Sequence, residues 1–429
     1  MSPVRSASHP YGSAAAPGES LGISWPPAMD VTRGAKHPAI IVSGALAREL
    51  SKPVDLSHVQ RLCDDTGILE HAEGAIPRRE HGYCTDDVSR QLLVACLYPN
   101  DPRAEEIAEQ GLAFVRNAAL AEGRFRSRMN YARIWMDEGD SDDASGRAIW
   151  SLGVAVQRAP WPHVRDAALS LFETTISFVS PHWHSKAFAA LGASAVLTAS
   201  PQNRAARAFA ERLAVELPRQ RKQTWSVDEA PTQKDLWLWP EARMTYSSAV
   251  LPDALLALSD VHPQLLDEGL TLLQWLVDRM IRNGFSPVPV DGLGPNDLRP
   301  GFDQQPIEAQ AFAGACWRAW TLTGDPRWLE PVVLAAAWFV GANDAHTYMI
   351  DRRTNGCFDG LMSYGRNANQ GAESTLAMLH TMAILRRGVD EGAIILRHVE
   401  GKKTHDPQAA AISDGATGSP SLALQMEIV

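Results

Sequence analysis

Pairs of helical segments joined by short turns recur along this chain, and they constrain its fold more than any other feature. Five times, a segment with helical periodicity is followed, after a turn of about four residues, by a second helical segment that begins near a proline. These prolines are Pro102, Pro162, Pro201, Pro263 and Pro326. Proline suits the first turn of a helix because its missing N–H group would have no partner there. The pattern therefore predicts helical hairpins, with a proline in the first turn of each second helix.

The order of short and long connections predicts how these hairpins assemble. The first helices are expected over residues 85–97, 143–157, 183–197, 244–258 and 305–322, and segments 369–387 and 55–65 form a sixth pair. Long loops connect the hairpins at 66–84, 121–142, 219–243, 283–304 and 343–368, and only 179–182 is short. Because the helices alternate in direction, the long loops must all lie at one end. The sequence thus predicts an all-α (α/α)6 barrel, a double ring of six helical hairpins with long loops over one mouth.

Two details refine this barrel. The inner helices are those that follow the long loops, and segments such as 188–199 and 311–320 are apolar on all sides, which is typical of buried helices. Pro252 lies within the predicted helix 244–258 and indicates a kink or a later start there.

The composition of the two ends differs from that of the middle. Residues 1–35 are rich in Ser, Pro, Ala and Gly, and residues 400–429 are similar. Such segments bury too little apolar surface to fold. We therefore expect a disordered N-terminal tail at 1–35, the barrel domain at 36–399, and a mostly disordered C-terminal tail at 400–429 with a short apolar docking segment at its end.

Charge and cysteine content exclude several classes of function. The net charge is -10 and no basic run occurs, so neither nucleic acid nor an anionic membrane is an expected partner. No apolar stretch approaches the roughly 20 residues needed to cross a bilayer, and no signal-peptide pattern opens the chain. Five scattered cysteines without CxxC spacing predict reduced thiols in a cytoplasmic protein and no metal centre. No glycine-rich phosphate loop follows a strand, so no cofactor is expected, and the Gly- and Pro-rich segment 291–301 is interpreted as a lid.

Polar and aromatic residues are concentrated where the inner helices begin, and the starts of the outer helices lack this enrichment. Carboxylates, amides, arginines and aromatic rings on one rim are typical of a site for a polyhydroxylated ligand. Loop tryptophans, predicted to form exposed platforms for sugar rings, are Trp135, Trp183, Trp225, Trp237 and Trp239. The candidate substrate-binding residues are His81, Tyr83, Asp86, Arg147, Trp150, His184, Trp239, Arg243, Tyr246, Gln304, Gln305, Glu308, Asn369 and Gln370.

Several carboxylates on this rim are candidates for catalysis. Cleavage of a glycosidic bond needs one carboxylic acid to protonate the leaving oxygen and a second carboxylate to activate water or attack the anomeric carbon. Asp87 and Glu241, on nearly opposite inner helices, are the first candidate pair. Further candidates are Asp143, Asp303 and Glu373.

Each of these acids also has a plain structural interpretation. The Asp86–Asp87 pair is typical of an ordinary helix start, since the exposed N–H groups favour acids in a first turn. The same argument applies to Glu308. Glu241 is close enough in sequence to Arg243 to form a simple ion pair.

Histidines on the same rim support a different activity. His182 and His184 are two residues apart and cannot share one helix face, so a hydrogen-bonded pair is favoured over a zinc site. As proton carriers, they or His81 would suit a sugar epimerase or isomerase. The remaining hypothesis is a non-catalytic sugar-binding protein or a scaffold partner of a glycosyltransferase.

Five segments of the chain resemble a known family. They are HGYCTDD at 81–87, the acidic GRA-W-LG segment at 143–153, the W-P-E segment with TYS at 239–246, DQQPIEA at 303–309 and RNANQGAESTLA at 366–377. Together they resemble a bacterial six-hairpin glycosidase-like family whose members are often labelled glycosyltransferases. The family often has Asn-Ala where this chain has Val88-Ser89. The resemblance implies an (α/α)6 barrel and a sugar or short oligosaccharide as ligand, whereas the transferase label conflicts with the missing α/β nucleotide-sugar layout.

Overall fold

Helices make up most of the described structure, a computed structural model that covers residues 39–136, 141–217, 237–281, 284–297 and 301–397 and the backbone of 426–428. The predicted tail at 1–35, most of the predicted tail at 400–429, and Trp225 lie outside these residues.

The secondary structure follows the order of the predicted hairpins. The α-helices are α1 Gly44–Leu50, α2 Ser57–Leu62, α3 Thr85–Leu97, α4 Ala104–Ala118, α5 Asp142–Arg158, α6 Pro162–Glu173, α7 Trp183–Ala199, α8 Arg204–Glu216, α9 Val250–Ala257, α10 Gln264–Met280, α11 Pro306–Thr323, α12 Leu329–Trp338 and α13 Ala372–Asp390. Short 3-10 helices lie at Arg79–His81, Ala121–Gly123 and Pro326–Trp328. The strands are β1 Ile40–Val42, β2 Ala72–Glu73, β3 Ile76–Pro77, β4 Tyr83–Cys84, β5 Arg128–Met129, β6 Ile350–Asp351, β7 Gly356–Cys357, β8 Leu361–Met362, β9 Gly365–Arg366, β10 Ile394–Leu396 and β11 Met426–Ile428.

Six helices form a closed inner ring. Each packs on the next in the order α3, α5, α7, α9, α11 and α13, and α13 returns to α3. Helices α4, α6, α8, α10 and α12 each follow an inner helix in the chain and pack against it from outside, and α1 and α2 pack against α13. The predicted (α/α)6 barrel is confirmed.

Glycines bring two inner helices into backbone contact. A Cβ atom on Gly153 of α5 would lie 2.2 Å from the carbonyl oxygen of Gly192 in α7, and one on Gly192 would lie 2.4 Å from that of Ile149. Gly146 meets the Ser185 carbonyl in the same way, at 2.4 Å. Since Gly146 and Ser185 lie near the helix starts, this contact brings the polar first turns of α5 and α7 together.

The prolines differ from their predicted positions. Only Pro162 starts an outer α-helix, while Pro326 opens the short 3-10 helix before α12. Pro263 occupies the capping position of α10, and Pro102 and Pro201 lie in the turns that precede α4 and α8. The prediction of a first-turn proline in every outer helix was therefore wrong, because proline also suits the turn itself by fixing its own φ angle.

Helix α9 begins at Val250 and not at residue 244. Pro252 lies in its first turn, where a missing N–H group breaks no helical hydrogen bond. The later start leaves residues 237–249 outside the helix, and part of this segment lines the cavity described below.

Short strands, which the sequence did not predict, connect the loops and the ends of the barrel. Strand β1 pairs in parallel with β10 and antiparallel with β11, so residues 426–428 dock beside the start of the barrel. Strands β4 and β5 join the first two long loops, and two-way bridges join Met244 to Leu293 and Gln304 to Leu361. The described parts of neighbouring long loops are therefore joined by backbone hydrogen bonds.

Two further observations concern the whole described chain. All five cysteines are free. Among the described residues, no helix combines the length and the apolar character that crossing a membrane requires.

Candidate functional site

Polar side chains from the first turns of the inner helices contact one another around the mouth. Arg90 of α3 donates hydrogen bonds to Asp87, at 2.7 Å, and to Glu373 of α13, at 2.8 Å. Arg147 of α5 lies 3.3 Å from a carboxylate oxygen of Asp143. Each arginine follows its acid by three or four residues, which places both on one helix face.

The same network continues across α5, α7 and the segment before α9. Arg147 also lies 3.8 Å from Asp86 of α3. The Tyr246 hydroxyl donates to Asp143 at 2.9 Å, and the Tyr246 ring stacks on His184 of α7, with ring centroids 4.8 Å apart. All these side chains therefore face one mouth.

A cavity of about 890 Å³ opens beside this network. The starts of α5 and α7 form one side of it, and the segment before α9 forms the other. The predicted site residues that line it are Asp143, His184, Glu241 and Tyr246, together with His182 and Trp183. Its volume lies within the range of ligand sites for small molecules, about 300–1,000 Å³.

Two carboxyl groups of the cavity, Glu241 and Asp143, have opposite electrostatic surroundings. Burial raises the pKa of Glu241, and a 3.3 Å hydrogen bond from the Trp239 indole reduces that effect. Burial also opposes ionisation of Asp143, but the charge of Arg147 and the hydrogen bond from Tyr246 outweigh it and hold the pKa of Asp143 below its usual value. Neighbouring carboxyl groups with diverging pKa values are a common basis for acid and base roles.

Burial shifts the pKa values of deeper groups at the mouth in the direction that favours their uncharged forms. Burial raises the pKa of Asp87 to about 8 and that of Glu308 to about 8, and it also raises the pKa of Asp86. Burial lowers the pKa of His184 to about 4, so its imidazole is neutral at pH 7.

Within the described residues, several buried polar atoms at the mouth have no hydrogen-bond partner. They include Asp86 Oδ1, Arg147 Nη1, His184 Nε2, Ser247 Oγ and Glu308 Oε1. Buried polar atoms normally have hydrogen-bond partners, so such a cluster needs an explanation. Donors and acceptors in this mixture match the hydroxyl groups of a polyhydroxylated ligand, each of which can donate and accept.

The other predicted catalytic residues lie apart from the cavity lining. Asp87 is buried against Arg90, and Glu373, which is partly exposed, shares the same arginine. Asp303 is exposed, and its backbone carbonyl accepts a hydrogen bond from Val290.

Several predicted binding residues instead hold the loops. Tyr83 is buried and donates to Asp64 at 2.6 Å, and His81 packs edge-on against His71. Gln304 accepts a hydrogen bond from Trp338, Gln370 donates to Asp351, and Asn369 accepts from the Gly74 amide. Trp150 stacks on Phe188, Glu308 accepts from the Ser248 amide, and Gln305 precedes α11 with its side chain half-buried.

Two sequence interpretations are corrected. Trp237 and Trp239 are only 2% and 1% exposed, so they are not open platforms; Trp135 and Trp183 are half-buried. Arg243 does not pair with Glu241 but with Asp297 and two backbone carbonyls of the neighbouring loop. These partners of Arg243 could not be predicted from local spacing, because they lie in a distant part of the chain.

Two residues outside the predicted set also lie at the mouth. Asp142 lines the cavity and forms an ion pair with Arg124, at a distance of 2.5 Å. Its carboxylate also lies 3.5 Å from the His182 ring. Its signal was present in the two successive acids that open α5. Ser247, which is fully buried, has no comparable sequence signal.

Two groups of side chains within the described residues have the spacing of metal ligands. One contains Glu70, Cys84 and Asp87, and the other is the exposed set Glu105, Glu109 and His163. In the first, Glu70 already pairs with Arg128 and Asp87 with Arg90. These arginines occupy the carboxylates that a metal would need.

Comparisons with known proteins rest on the fold. No protein-family model matches the sequence, and no curated protein matches it. Similar solved structures include cellobiose 2-epimerase from Spirochaeta thermophila, with a TM-score of 0.56 and 12% identity over 81% of this chain and 96% of that one. D-mannose isomerase gives a TM-score of 0.54 and 14% identity over 80% of this chain and 96% of that one. The GH76 α-mannanase of Bacteroides thetaiotaomicron gives a TM-score of 0.51 and 11% identity over 80% of this chain and 96% of that one. This chain shares the (α/α)6-barrel fold with all three.

Proposed function

We propose that this protein is a glycoside hydrolase that acts on a short oligosaccharide, with Glu241 as the general acid and Asp143 as the second carboxylate. One observation carries the proposal: within one cavity, the pKa of Glu241 is raised and the pKa of Asp143 is lowered. Asp143 takes the role first considered for Asp87, because it lines the cavity whereas Asp87 is buried against Arg90.

The proposed reaction uses each carboxyl group in the state its surroundings favour. Glu241 accepts the Trp239 hydrogen bond on Oε2, which leaves Oε1 to carry the proton. As the bond between the anomeric carbon and the leaving oxygen breaks, that proton passes to the oxygen and releases an alcohol. Ionised Asp143 either removes a proton from the water that attacks the anomeric carbon, or attacks that carbon itself before water releases the sugar.

The substrate class follows from the size and polarity of the cavity. About 890 Å³ suits a ligand of roughly two or three sugar units. The unpartnered donors and acceptors at the mouth suit its hydroxyl groups. Support also comes from the similar structures, which are named for cellobiose, mannose and mannan chemistry. The cytoplasmic location expected from the cysteine pattern forms part of the same proposal.

The histidines of the cavity favour a second candidate function, a sugar epimerase or isomerase. His184 is neutral at pH 7, and its Nε2 atom has no hydrogen-bond partner among the described residues, so it can accept a proton from a carbon beside a sugar carbonyl. Its pKa of about 4 makes it a weak base for that task, which is why hydrolysis is preferred.

One experiment in D2O separates these functions. Purified protein is incubated with a panel of oligosaccharides, and the products are analysed by chromatography and mass spectrometry. Hydrolysis yields shorter sugars without deuterium on carbon. Epimerisation by proton removal yields an isomer with deuterium on the carbon beside the carbonyl, and isomerisation places deuterium on the former carbonyl carbon. Binding without any product would support the sugar-binding or scaffold hypothesis.

Variants test the two assigned residues. Loss of general acid or base catalysis typically costs roughly 10²- to 10⁴-fold in rate, so Glu241→Gln and Asp143→Asn should each lose at least about 10²-fold in kcat. Glu211→Gln on α8 and Asp267→Asn on α10 are matched controls at exposed sites on outer helices. Full activity in either cavity variant, with unchanged melting behaviour, would remove that residue from the mechanism.

A further inference from the structure

Arg243 lies in the segment 237–246, which carries both Glu241 and Tyr246, and all three of its side-chain nitrogens contact the neighbouring loop. Nε donates to the Asp291 carbonyl at 2.7 Å, and Nη2 donates to the Gly292 carbonyl at 3.0 Å. Nη1 lies 2.9 Å from Asp297. Asp297 in turn accepts from the Gly294 amide at 2.8 Å, which closes the loop on itself. The guanidinium group thus fastens a folded loop and not a single residue.

Backbone bonds next to Arg243 reinforce this attachment. The Met244 amide donates to the Leu293 carbonyl at 2.8 Å, and the Leu293 amide donates to the Met244 carbonyl at 2.9 Å. Gly292 has a φ of +76°, and a Cβ there would lie 2.4 Å from the Met244 carbonyl oxygen and 3.0 Å from Arg243 Nε. The two segments therefore approach each other more closely than any residue other than glycine at position 292 would allow.

Residues of the attached segment 237–246 make hydrogen bonds to both proposed catalytic residues, Glu241 and Asp143. At one end, the Trp237 indole donates to the Glu241 carbonyl at 2.7 Å, and the Trp239 indole donates to its carboxylate. At the other end, Tyr246 donates to Asp143. Arg243 and Met244 lie between these ends, so the attachment controls where Glu241 stands relative to Asp143.

We infer that Arg243 is a positioning residue that locks this segment against the loop 289–297 and thereby sets the geometry of the proposed acid; this inference rests on the proposed function. It replaces the sequence-based prediction that Arg243 binds substrate. Glu241 is partly buried, and release of the segment would expose it further to water. Since burial is the main cause of its raised pKa, that pKa would fall.

The test compares Arg243→Ala and Arg243→Lys with Arg386→Ala as the matched control. Arg386 also holds two backbone carbonyls, those of Leu50 and Lys52, but it lies on α13 away from the mouth. In both Arg243 variants kcat should fall, by about 10²-fold in the alanine variant, with little change in KM, as expected for a displaced catalytic group. The alkaline limb of the kcat profile should move to lower pH. The Arg386 variant should show neither change.

Hydrogen–deuterium exchange provides a readout that does not depend on turnover. Peptides covering 237–249 and 287–297 should exchange faster in both Arg243 variants, because the Met244 and Leu293 amides lose their shared bridge. Asp297→Asn leaves the hydrogen bonds from Arg243 to the two backbone carbonyls in place. It should change kcat, the pH profile and the exchange rates in the same direction but by less, and it replaces the alanine variant if that variant does not fold.

The outcomes separate this inference from the proposed function. Unchanged exchange together with a large rise in KM would mean that Arg243 contacts the substrate directly and would overturn the inference. Faster exchange in a protein that cleaves no sugar would support the attachment but remove the proposed hydrolysis. Faster exchange with undiminished kcat would show that the attachment has no positioning role.

Discussion

Single hydrogen bonds at the mouth should be visible in the pH dependence of the reaction. The Trp239 indole donates to Glu241, and this bond favours the ionised carboxylate. Trp239→Phe removes the donor and should raise the pKa of Glu241. Because Glu241 acts in its protonated form, the alkaline limb of the kcat/KM profile should then move to higher pH, opposite to the shift expected for Arg243→Ala. Trp135→Phe, which removes an indole donor to Asn117, is the control and should leave the limb in place.

The acidic limb should report on Asp143 in the same way. The Tyr246 hydroxyl helps to keep the pKa of Asp143 low, and Tyr246→Phe removes it while leaving a ring to stack on His184. The acidic limb of kcat/KM should therefore move to higher pH. Tyr98→Phe removes a buried hydroxyl that donates to the Leu379 carbonyl, and it should lower stability without moving the limb. A Tyr246 variant with an unshifted acidic limb would argue that Asp143 is not the group that titrates.

At the scale of elements, the contact between α5 and α7 depends on residues without side chains. A Cβ on Gly192 would lie 2.4 Å from the Ile149 carbonyl, closer than atoms can approach, so Gly192→Ala should push the two helices apart. Overpacking of this kind typically costs about 1–3 kcal/mol, measurable as a lower midpoint of urea unfolding.

Gly314 in α11 is the matched control for this substitution. A Cβ there would meet only an Asp253 carboxylate oxygen, at 3.7 Å. Gly314→Ala should therefore be neutral or stabilise by up to about 1 kcal/mol, through helix propensity alone. Equal effects at the two positions would mean that the close approach of α5 and α7 is not what Gly192 provides.

The inner helices could be predicted from sequence because their signals are local. Segments predicted at 85–97 and 305–322 correspond to α3 at Thr85–Leu97 and α11 at Pro306–Thr323. Apolar periodicity and first-turn acids suffice to locate such helices. The strands of two or three residues could not be predicted, because their pairing depends on chain segments far apart, as with Ile40 and Ile394.

The same difference between local and long-range signals applies to the candidate site. Reading the helix starts together identified Asp143, His184, Glu241 and Tyr246, which all line the cavity. The burial of Trp239 and the sharing of Arg90 between Asp87 and Glu373 could not be predicted in this way. Both depend on tertiary contacts, such as the one that brings Glu373 to the arginine beside Asp87.

For the molecule as a whole, burying acids at the mouth links folding to pH. Burial raises the pKa of Glu308 to about 8, whereas in the unfolded chain it returns to the ordinary value of 4.5. Between these values the folded protein holds a proton that the unfolded chain releases, so this group weakens the fold as pH rises. The slope for one such group is at most about 1.4 kcal/mol per pH unit.

Glu308→Gln should remove this contribution, since glutamine keeps the shape of the protonated side chain and cannot ionise. Its free energy of unfolding relative to wild type should therefore increase from pH 5 to pH 8, as measured by urea unfolding at several pH values. Asp87 acts in the same direction and His184 in the opposite one, but both are present in the two proteins and cancel in the difference. Glu211→Gln, at an exposed position of α8, is the control for the loss of one carboxyl group. A difference between Glu308→Gln and wild type that stays constant over this pH range would mean that Glu308 is ionised in the folded protein and balanced by a charge at the mouth.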